Sequence, residues 1–124
     1  MDHDLESFRT KFEKELKTGL LSFLVLATIG REKGPTYGYR IIKDLESSSG
    51  GKYSLPEGTV YPVLNSLSER GFLKTYWGEP EGGPRRKYYE ITPEGRKALD
   101  ICLKEWSFIT GLVDDMLKNA GVGR

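Results

Sequence analysis

Apolar positions near the start of the chain recur with helical spacing. Four large apolar residues lie at steps of three and four within a strongly charged stretch: Leu5, Phe8, Phe12 and Leu16. This spacing predicts an amphipathic helix over residues 4–18. Lys17-Thr18-Gly19 is expected to interrupt it before a more buried helical run over residues 20–29, and the pattern leaves open whether the two runs form one helix.

Two short helices are predicted in the middle of the chain. Thr36 is expected to cap the first of them, over residues 37–46. Ser54-Leu55-Pro56-Glu57 has the pattern of a capping box, which predicts a second helix from this point to about Arg70. Within that helix, Pro62 removes a backbone hydrogen bond and is expected to cause a kink.

A β-hairpin and a long helix are predicted to follow. Residues 73–77 and 87–91 are rich in aromatic and β-branched side chains and flank a segment of glycines and prolines, which predicts two paired strands. Thr92-Pro93-Glu94 has the residues favoured at a helix start. This helix is expected to end near Asn119, before Gly121 and Gly123. Its apolar residues have a heptad-like spacing: Leu99, Cys102, Trp106, Ile109, Val113 and Met116.

This order of elements predicts a mainly α (α+β) fold: a winged helix-turn-helix with a two-stranded wing and a long C-terminal dimerisation helix. We expect one domain over residues 1–124, with the winged helix-turn-helix at 16–91, the dimerisation helix at 92–120, and the helix at 4–18 supporting the dimer. A monomer would expose a long apolar stripe, so a homodimer is expected. The predicted dimer interface comprises Phe8, Phe12, Leu99, Cys102, Trp106, Ile109, Val113 and Met116.

In a winged helix-turn-helix, the second short helix enters the major groove and the hairpin tip reaches the DNA backbone. Asparagine can pair with adenine, and the run Arg85-Arg86-Lys87 in the hairpin suits phosphates, although such a run can also be an ordinary solvated tip. Tyr39 and Tyr88 are expected to be packing residues. The candidate residues for contact with double-stranded DNA are Tyr37, Thr59, Tyr61, Pro62, Asn65, Ser66, Lys74, Arg85, Arg86 and Lys87.

The amino-acid composition argues against several classes of function, but it does not by itself indicate DNA binding. The 19 basic and 18 acidic residues give a formal net charge of +1, which leaves open a winged helix that contacts other proteins instead. With one histidine and one cysteine, neither a Cys–His pair nor a zinc site can be assembled, so no enzyme, cofactor or metal is expected. No apolar stretch is long enough for a membrane span, and the single Cys102 suits a reducing cytoplasm.

Several strings in the chain are distinctive: Tyr37-Gly38-Tyr39, Glu57-Gly58-Thr59-Val60-Tyr61-Pro62-Val63-Leu64, Leu67-Ser68-Glu69-Arg70-Gly71-Phe72-Leu73, Gly82-Gly83-Pro84-Arg85-Arg86-Lys87-Tyr88-Tyr89 and Thr92-Pro93-Glu94-Gly95. Over about residues 16–117, they resemble the signature of the PadR family of transcriptional regulators.

The resemblance implies a repressor that dimerises through its terminal helices. A twofold dimer presents two recognition helices related by symmetry, so an inverted-repeat operator is expected. A single helix after the wing is similar to the smaller PadR subfamily, some members of which bind planar aromatic compounds between protomers against a tryptophan. Trp106 lies where that tryptophan would be. It is interpreted either as an effector platform or as dimer core. Asn65-Ser66 departs from the bulkier or basic pair of many members, so the operator sequence does not carry over.

Overall fold

The computed structural model describes residues 2–121, so Gly123 lies outside the described residues. Four helices and three strands follow one another in the order α1 His3–Gly30, β1 Thr36–Tyr37, α2 Gly38–Ser48, α3 Glu57–Glu69, β2 Leu73–Gly78, β3 Arg86–Ile91 and α4 Pro93–Asn119. The mainly helical class, the wing formed by β2 and β3, and the long C-terminal helix are thereby confirmed.

The two helical runs predicted at the start of the chain form one helix. α1 runs unbroken through Lys17-Thr18-Gly19, so of the two arrangements that the sequence pattern left open, the single continuous helix is the one observed. A single glycine inside a helix costs only about 1 kcal/mol relative to alanine, and the buried half of α1 outweighs that cost. The predicted boundaries at residues 16 and 18 therefore fall inside one helix and separate no structural units.

The predicted caps of α2 and α3 are also wrong. Thr36 is a buried strand residue of β1, paired with Tyr89, and its hydroxyl has no hydrogen-bond partner among residues 2–121. Ser54 does not cap α3, which begins at Glu57 with Pro56 as its N-cap residue. A residue that precedes proline is disfavoured in the helical conformation, so Leu55 cannot form the first turn that the capping box required.

The sheet has one strand more than predicted. β3 lies between β1 and β2, and both neighbours are antiparallel to it. The β2–β3 hairpin is the predicted two-stranded wing. β1 adds only two residues at the edge of β3, and such a short segment shows no alternation of apolar and polar residues by which a sequence pattern reveals a strand.

The core forms where the second half of α1 meets α2, α3 and the base of the wing. Its most deeply buried side chains include Val25, Leu26, Ile29, Ile41, Val60, Leu64 and Tyr89. Thr92 caps α4 by accepting from the backbone N–H of Gly95 at 2.9 Å, as predicted, and its hydroxyl donates to the carbonyl of Gly71 at 2.7 Å. These two hydrogen bonds of Thr92 fix the start of α4 at the base of the wing.

Candidate nucleic-acid interface

One face of α3 is fixed in the core and the opposite face is open. Val60, Leu64 and Leu67 are buried, which turns the residues between them outward. α3 continues through Pro62 as a helix. The predicted reading residues Thr59, Pro62, Asn65 and Ser66 are all exposed. The helix thus offers amide and hydroxyl groups to a partner, with no large apolar side chain among them.

The cations of the wing lie against aromatic rings. The guanidinium carbon of Arg86 is 3.9 Å from the ring centroid of Tyr37, and that of Arg85 is 5.4 Å from the ring of Trp77. The ammonium nitrogen of Lys87 lies 5.7 Å from the ring of Tyr89. Cation–π contacts of this kind hold a cation in place while its N–H groups remain available to an anion.

A cleft of about 390 Å³ separates α3 from the wing. It brings together five of the predicted DNA-contacting residues: Tyr37, Tyr61, Asn65, Arg86 and Lys87. The other five lie outside its lining: Thr59, Pro62, Ser66, Lys74 and Arg85. An asparagine amide and two cations therefore share one concave surface, which matches a duplex that presents base edges beside phosphates.

Two aromatic residues of this cleft were missed from the sequence. Tyr39 was expected to be a packing residue, and that expectation is wrong: it is 58% exposed, with the Lys43 ammonium 5.5 Å from its ring. Trp77, which was assigned no role, is also 58% exposed and lines the cleft. Trp77 could have been found from the alternation of side chains along the strands. It pairs with Lys87, so the two side chains lie on the same face of the hairpin.

Tyr61 is turned toward α2. A Cβ atom placed on Gly38 would overlap the hydroxyl of Tyr61, so the ring lies against the backbone at the start of α2. The ring is half-buried and packs against the core. This geometry gives Tyr61 a packing contact between α2 and α3 and does not support the predicted contact of Tyr61 with DNA. Beside it, burial raises the pKa of the Tyr89 phenol, with a smaller effect from Tyr61.

Two further cations lie near the beginning of α3 and were also missed. Lys14 and Lys17 of α1 line a smaller groove of about 220 Å³ together with Thr59. The Lys17 ammonium lies 5.4 Å from the ring of Tyr53, but it also lies 3.6 Å from Glu13, which neutralises part of its charge. On β2, Lys74 stands opposite Glu90 in the register. Arg85, Arg86 and Lys87 therefore remain the main basic group of this surface.

A second concave surface lies between α1 and α4, away from the wing. This groove of about 550 Å³ is almost wholly apolar apart from Glu15 and Glu105. It is lined by Phe12, Glu15, Leu16, Gly19, Leu20, Phe23, Ile101, Cys102, Glu105, Trp106 and Ile109.

The predicted dimer residues divide into two groups. Leu99 packs within the protomer, since its Cδ2 would lie 3.0 Å from a Cβ placed on Gly30, and Cys102 is half-buried against the core. Exposure therefore does not support an interface role for Leu99. The other six remain exposed: Phe8, Phe12, Trp106, Ile109, Val113 and Met116. Further exposed apolar residues of α4 are Ile101, Leu103, Phe108 and Leu112.

Other kinds of site find no support in the described residues. Within residues 2–121, no group of three or more His, Cys, Asp or Glu side chains is placed to hold a metal ion. Over the same residues, none of the helices combines the length and the apolar character that crossing a membrane requires.

Comparisons with known proteins agree with this architecture. A model of the transcriptional regulator PadR-like family matches residues 25–101. An uncharacterized protein X of Lysinibacillus sphaericus is 31% identical over 78 residues, which span 63% of this chain and 72% of that protein. Transcriptional regulator YqjI of Escherichia coli is 30% identical over 82 residues, 66% of this chain but 37% of YqjI. A PadR family transcriptional regulator from Eggerthella lenta superposes with a TM-score of 0.79 at 28% identity, covering 99% of this chain and 100% of that one.

Proposed function

Because this chain belongs to the PadR-like family of transcriptional regulators, we propose that it represses transcription by binding an inverted-repeat operator as a homodimer. The chain is a DNA-binding regulator and not an enzyme. The proposed docking mode rests on the cleft that is lined both by Asn65 of α3 and by Arg86 and Lys87 of the wing. A regulator of this kind acts where the chromosome is, so we expect it in the cytoplasm.

In the proposed complex, α3 lies in the major groove and the wing follows the adjacent backbone. Asn65 reads a base edge, because its amide has both a donor and an acceptor for adenine. The guanidinium groups of Arg85 and Arg86 bind phosphates, which carry no sequence information but fix the position of α3. The near-neutral net charge is compatible with this mode, because three consecutive cations, at positions 85–87, lie together at the wing.

The proposed dimer rests on the apolar surfaces of the two terminal helices. Phe8 at 65% and Phe108 at 67% are among the most exposed large apolar side chains of the described chain. The groove between α1 and α4 is almost wholly apolar, and in the proposed dimer the second half of a partner's α4, which carries the exposed Ile109, Val113 and Met116, packs along it. When each protomer packs its α4 against the other, the dimer has twofold symmetry. The two α3 helices are then related by the same symmetry and meet two inverted half-sites.

The proposed effector site is the part of this groove beside Trp106, at the boundary with the partner's α4. Trp106 offers a flat ring on one wall, and Glu15 and Glu105 place two carboxylates beside it. A planar aromatic molecule would stack on the ring, and a positively charged one would also be attracted by the carboxylates. Because the groove separates α1 from α4, an occupant that alters their spacing alters the distance between the two α3 helices. We propose that such an effector releases the operator.

Selection of bound sites from random duplex DNA tests the proposal. The expected product is an inverted repeat whose half-sites are separated by about one helical turn, ~10 bp, or a multiple of it. The matched control is Asn65→Ala, which should select a related motif with one position in each half-site relaxed. Enrichment of a single asymmetric site, or of no motif at all, would contradict the proposed dimeric docking.

A further inference from the structure

We infer that Tyr37 is a positioning residue for DNA binding, which acts through the guanidinium group of Arg86 and does not itself contact the duplex. The inference rests on the proposed docking of the wing against the DNA backbone, and it states how the wing orients Arg86 for that contact. It also replaces the prediction, made from the sequence, that Tyr37 contacts DNA directly. The observation behind it is the 3.9 Å approach of the guanidinium carbon of Arg86 to the Tyr37 ring centroid.

This contact is the shortest of the cation–ring contacts in residues 2–121, where the others measure 5.4–5.7 Å. At this distance the planar guanidinium lies against the face of the ring. A stacked guanidinium keeps its N–H groups at its edges, and those edges are what a phosphate binds. Arg86 is only partly exposed, as expected for a side chain held against the protein surface.

Tyr37 is itself held by further aromatic contacts across the sheet. Its ring meets Tyr88, its partner in the β1–β3 register, edge to face at 6.0 Å and 80°. Tyr88 in turn stacks on Tyr76 of β2 at 5.7 Å and 19°. A Cβ atom on Gly78 would lie 2.7 Å from the Tyr88 ring, so the absence of a side chain there makes room for that ring. The row Tyr76–Tyr88–Tyr37 thus extends across all three strands and ends at Arg86.

The two-residue strand β1 places Tyr37 in this row. Pairing of Tyr37 with Tyr88 fixes the ring beside the strand from which Arg86 projects. An unsupported arginine at the start of a strand would sample many rotamers, and binding a phosphate would require it to give up that freedom. An arginine stacked on a ring has already given up that rotamer freedom before it binds the phosphate. Arg85 and Trp77 lie further apart, at 5.4 Å, so Arg86 makes the closer ring contact of the two arginines.

A set of four variants tests this role on a fluorescently labelled random-sequence duplex, with dissociation constants measured over a range of salt concentrations. The variants are Tyr37→Phe, Tyr37→Leu, Arg86→Ala and the double variant Y37L/R86A. Tyr37→Phe keeps the ring and should bind as the wild type does. Tyr37→Leu should weaken binding by about two- to fivefold, as expected for the loss of an exposed cation–ring contact. In the Arg86→Ala background, Tyr37→Leu should have no further effect.

Each other outcome overturns the inference in an identifiable way. An equal loss from Tyr37→Leu in both backgrounds would show a general structural role. A loss from Tyr37→Phe would show that the hydroxyl contacts DNA directly. If Arg86→Ala leaves both affinity and salt dependence unchanged, the proposed docking of the wing fails as well. Should Tyr37→Leu not fold, the wild-type protein provides a second test, because the ring must shift the Arg86 side-chain NMR resonances upfield, and resonances at ordinary positions would refute the stacking.

Discussion

The ring of Tyr61 on α3 lies directly over Gly38 on α2, so the two helices of the helix-turn-helix meet at a position where no side chain fits. A Cβ atom on Gly38 would overlap the Tyr61 hydroxyl and approach two ring carbons at 2.6 and 2.8 Å. The contact lies between α2 and α3, beside the core residues that these helices share. It also makes Gly38 a packing requirement, since its backbone conformation is one that any residue adopts.

Gly38→Ala should therefore destabilise the protein. The Tyr61 ring must move to admit the methyl group, and strain of this kind costs about 1–3 kcal/mol in the free energy of unfolding. The measurement is chemical denaturation. Gly58→Ala is the matched control, because Gly58 is also helical but has no heavy atom within 4 Å of the added Cβ position. The control should be neutral or slightly stabilising, and equal losses from both glycines would disprove the proposed packing.

The fold could be predicted from the sequence wherever one local signal agreed with the overall pattern. Gly71 ends α3 with a positive φ of 81°, and Thr92 caps α4 through its hydroxyl, both as the sequence indicated. The errors arose where a local motif competed with a tertiary contact. Thr36 has the chemistry of a cap, but pairing with Tyr89 in β1 places it in the core. Pattern analysis cannot weigh a pairing between residues that lie so far apart in the sequence.

The candidate site was predictable to the extent that it depends on one helix face and one run of charge. Asn65 follows from helical periodicity, and Arg86 from its neighbours in the sequence. The partners of these residues were not predictable. The stacking of Arg86 on Tyr37 and the turn of Tyr61 toward Gly38 both arise from the packing of β1 and α2 against the wing and α3. Such contacts are set by three-dimensional distances, which spacing along the chain does not contain.

The recognition helix and the wing should differ in how their loss affects DNA binding. Asn65→Ala should relax preference at one base pair by roughly 1–3 kcal/mol, because a bidentate contact to adenine discriminates between bases. Affinities for the selected operator and its single-base variants measure this. The neighbouring exposed Ser66→Ala is the control and should have a smaller effect. An unchanged motif for Asn65→Ala would show that the base-reading residues lie elsewhere on α3.

Arg86→Ala should weaken binding to every sequence alike. Loss of one phosphate contact should lower the slope of log affinity against log salt by about one unit. Lys97→Ala removes a charge of the same sign at the start of α4, where Lys97 lies 3.1 Å from Glu94, and should leave the slope unchanged. If the two variants have the same slope as the wild type, the wing does not contact the backbone.

Ile109→Glu should dissociate the proposed dimer. Ile109 is exposed in the protomer and lines the groove between α1 and α4, so a partner helix would bury the new carboxylate among apolar side chains. Sedimentation at micromolar concentration measures the change. Ser107→Glu adds the same charge at an exposed position outside the groove lining and should remain dimeric. A wild-type protein that sediments as a monomer would contradict the proposed assembly directly.

A planar cationic dye should quench Trp106 fluorescence and weaken operator binding. The tryptophan lines an apolar groove that also carries Glu15 and Glu105, so stacking and charge attraction favour the same ligand. Trp77→Phe isolates the signal, because Trp77 lies at the other surface, in the cleft beside the wing. An anionic dye of similar shape is the control and should bind more weakly. Because linkage is reciprocal, the factor by which the dye lowers operator affinity must equal the factor by which the operator lowers dye affinity. Quenching without that reciprocity would place the dye outside the regulatory mechanism. No quenching by any planar dye would leave Trp106 as a packing residue of the dimer.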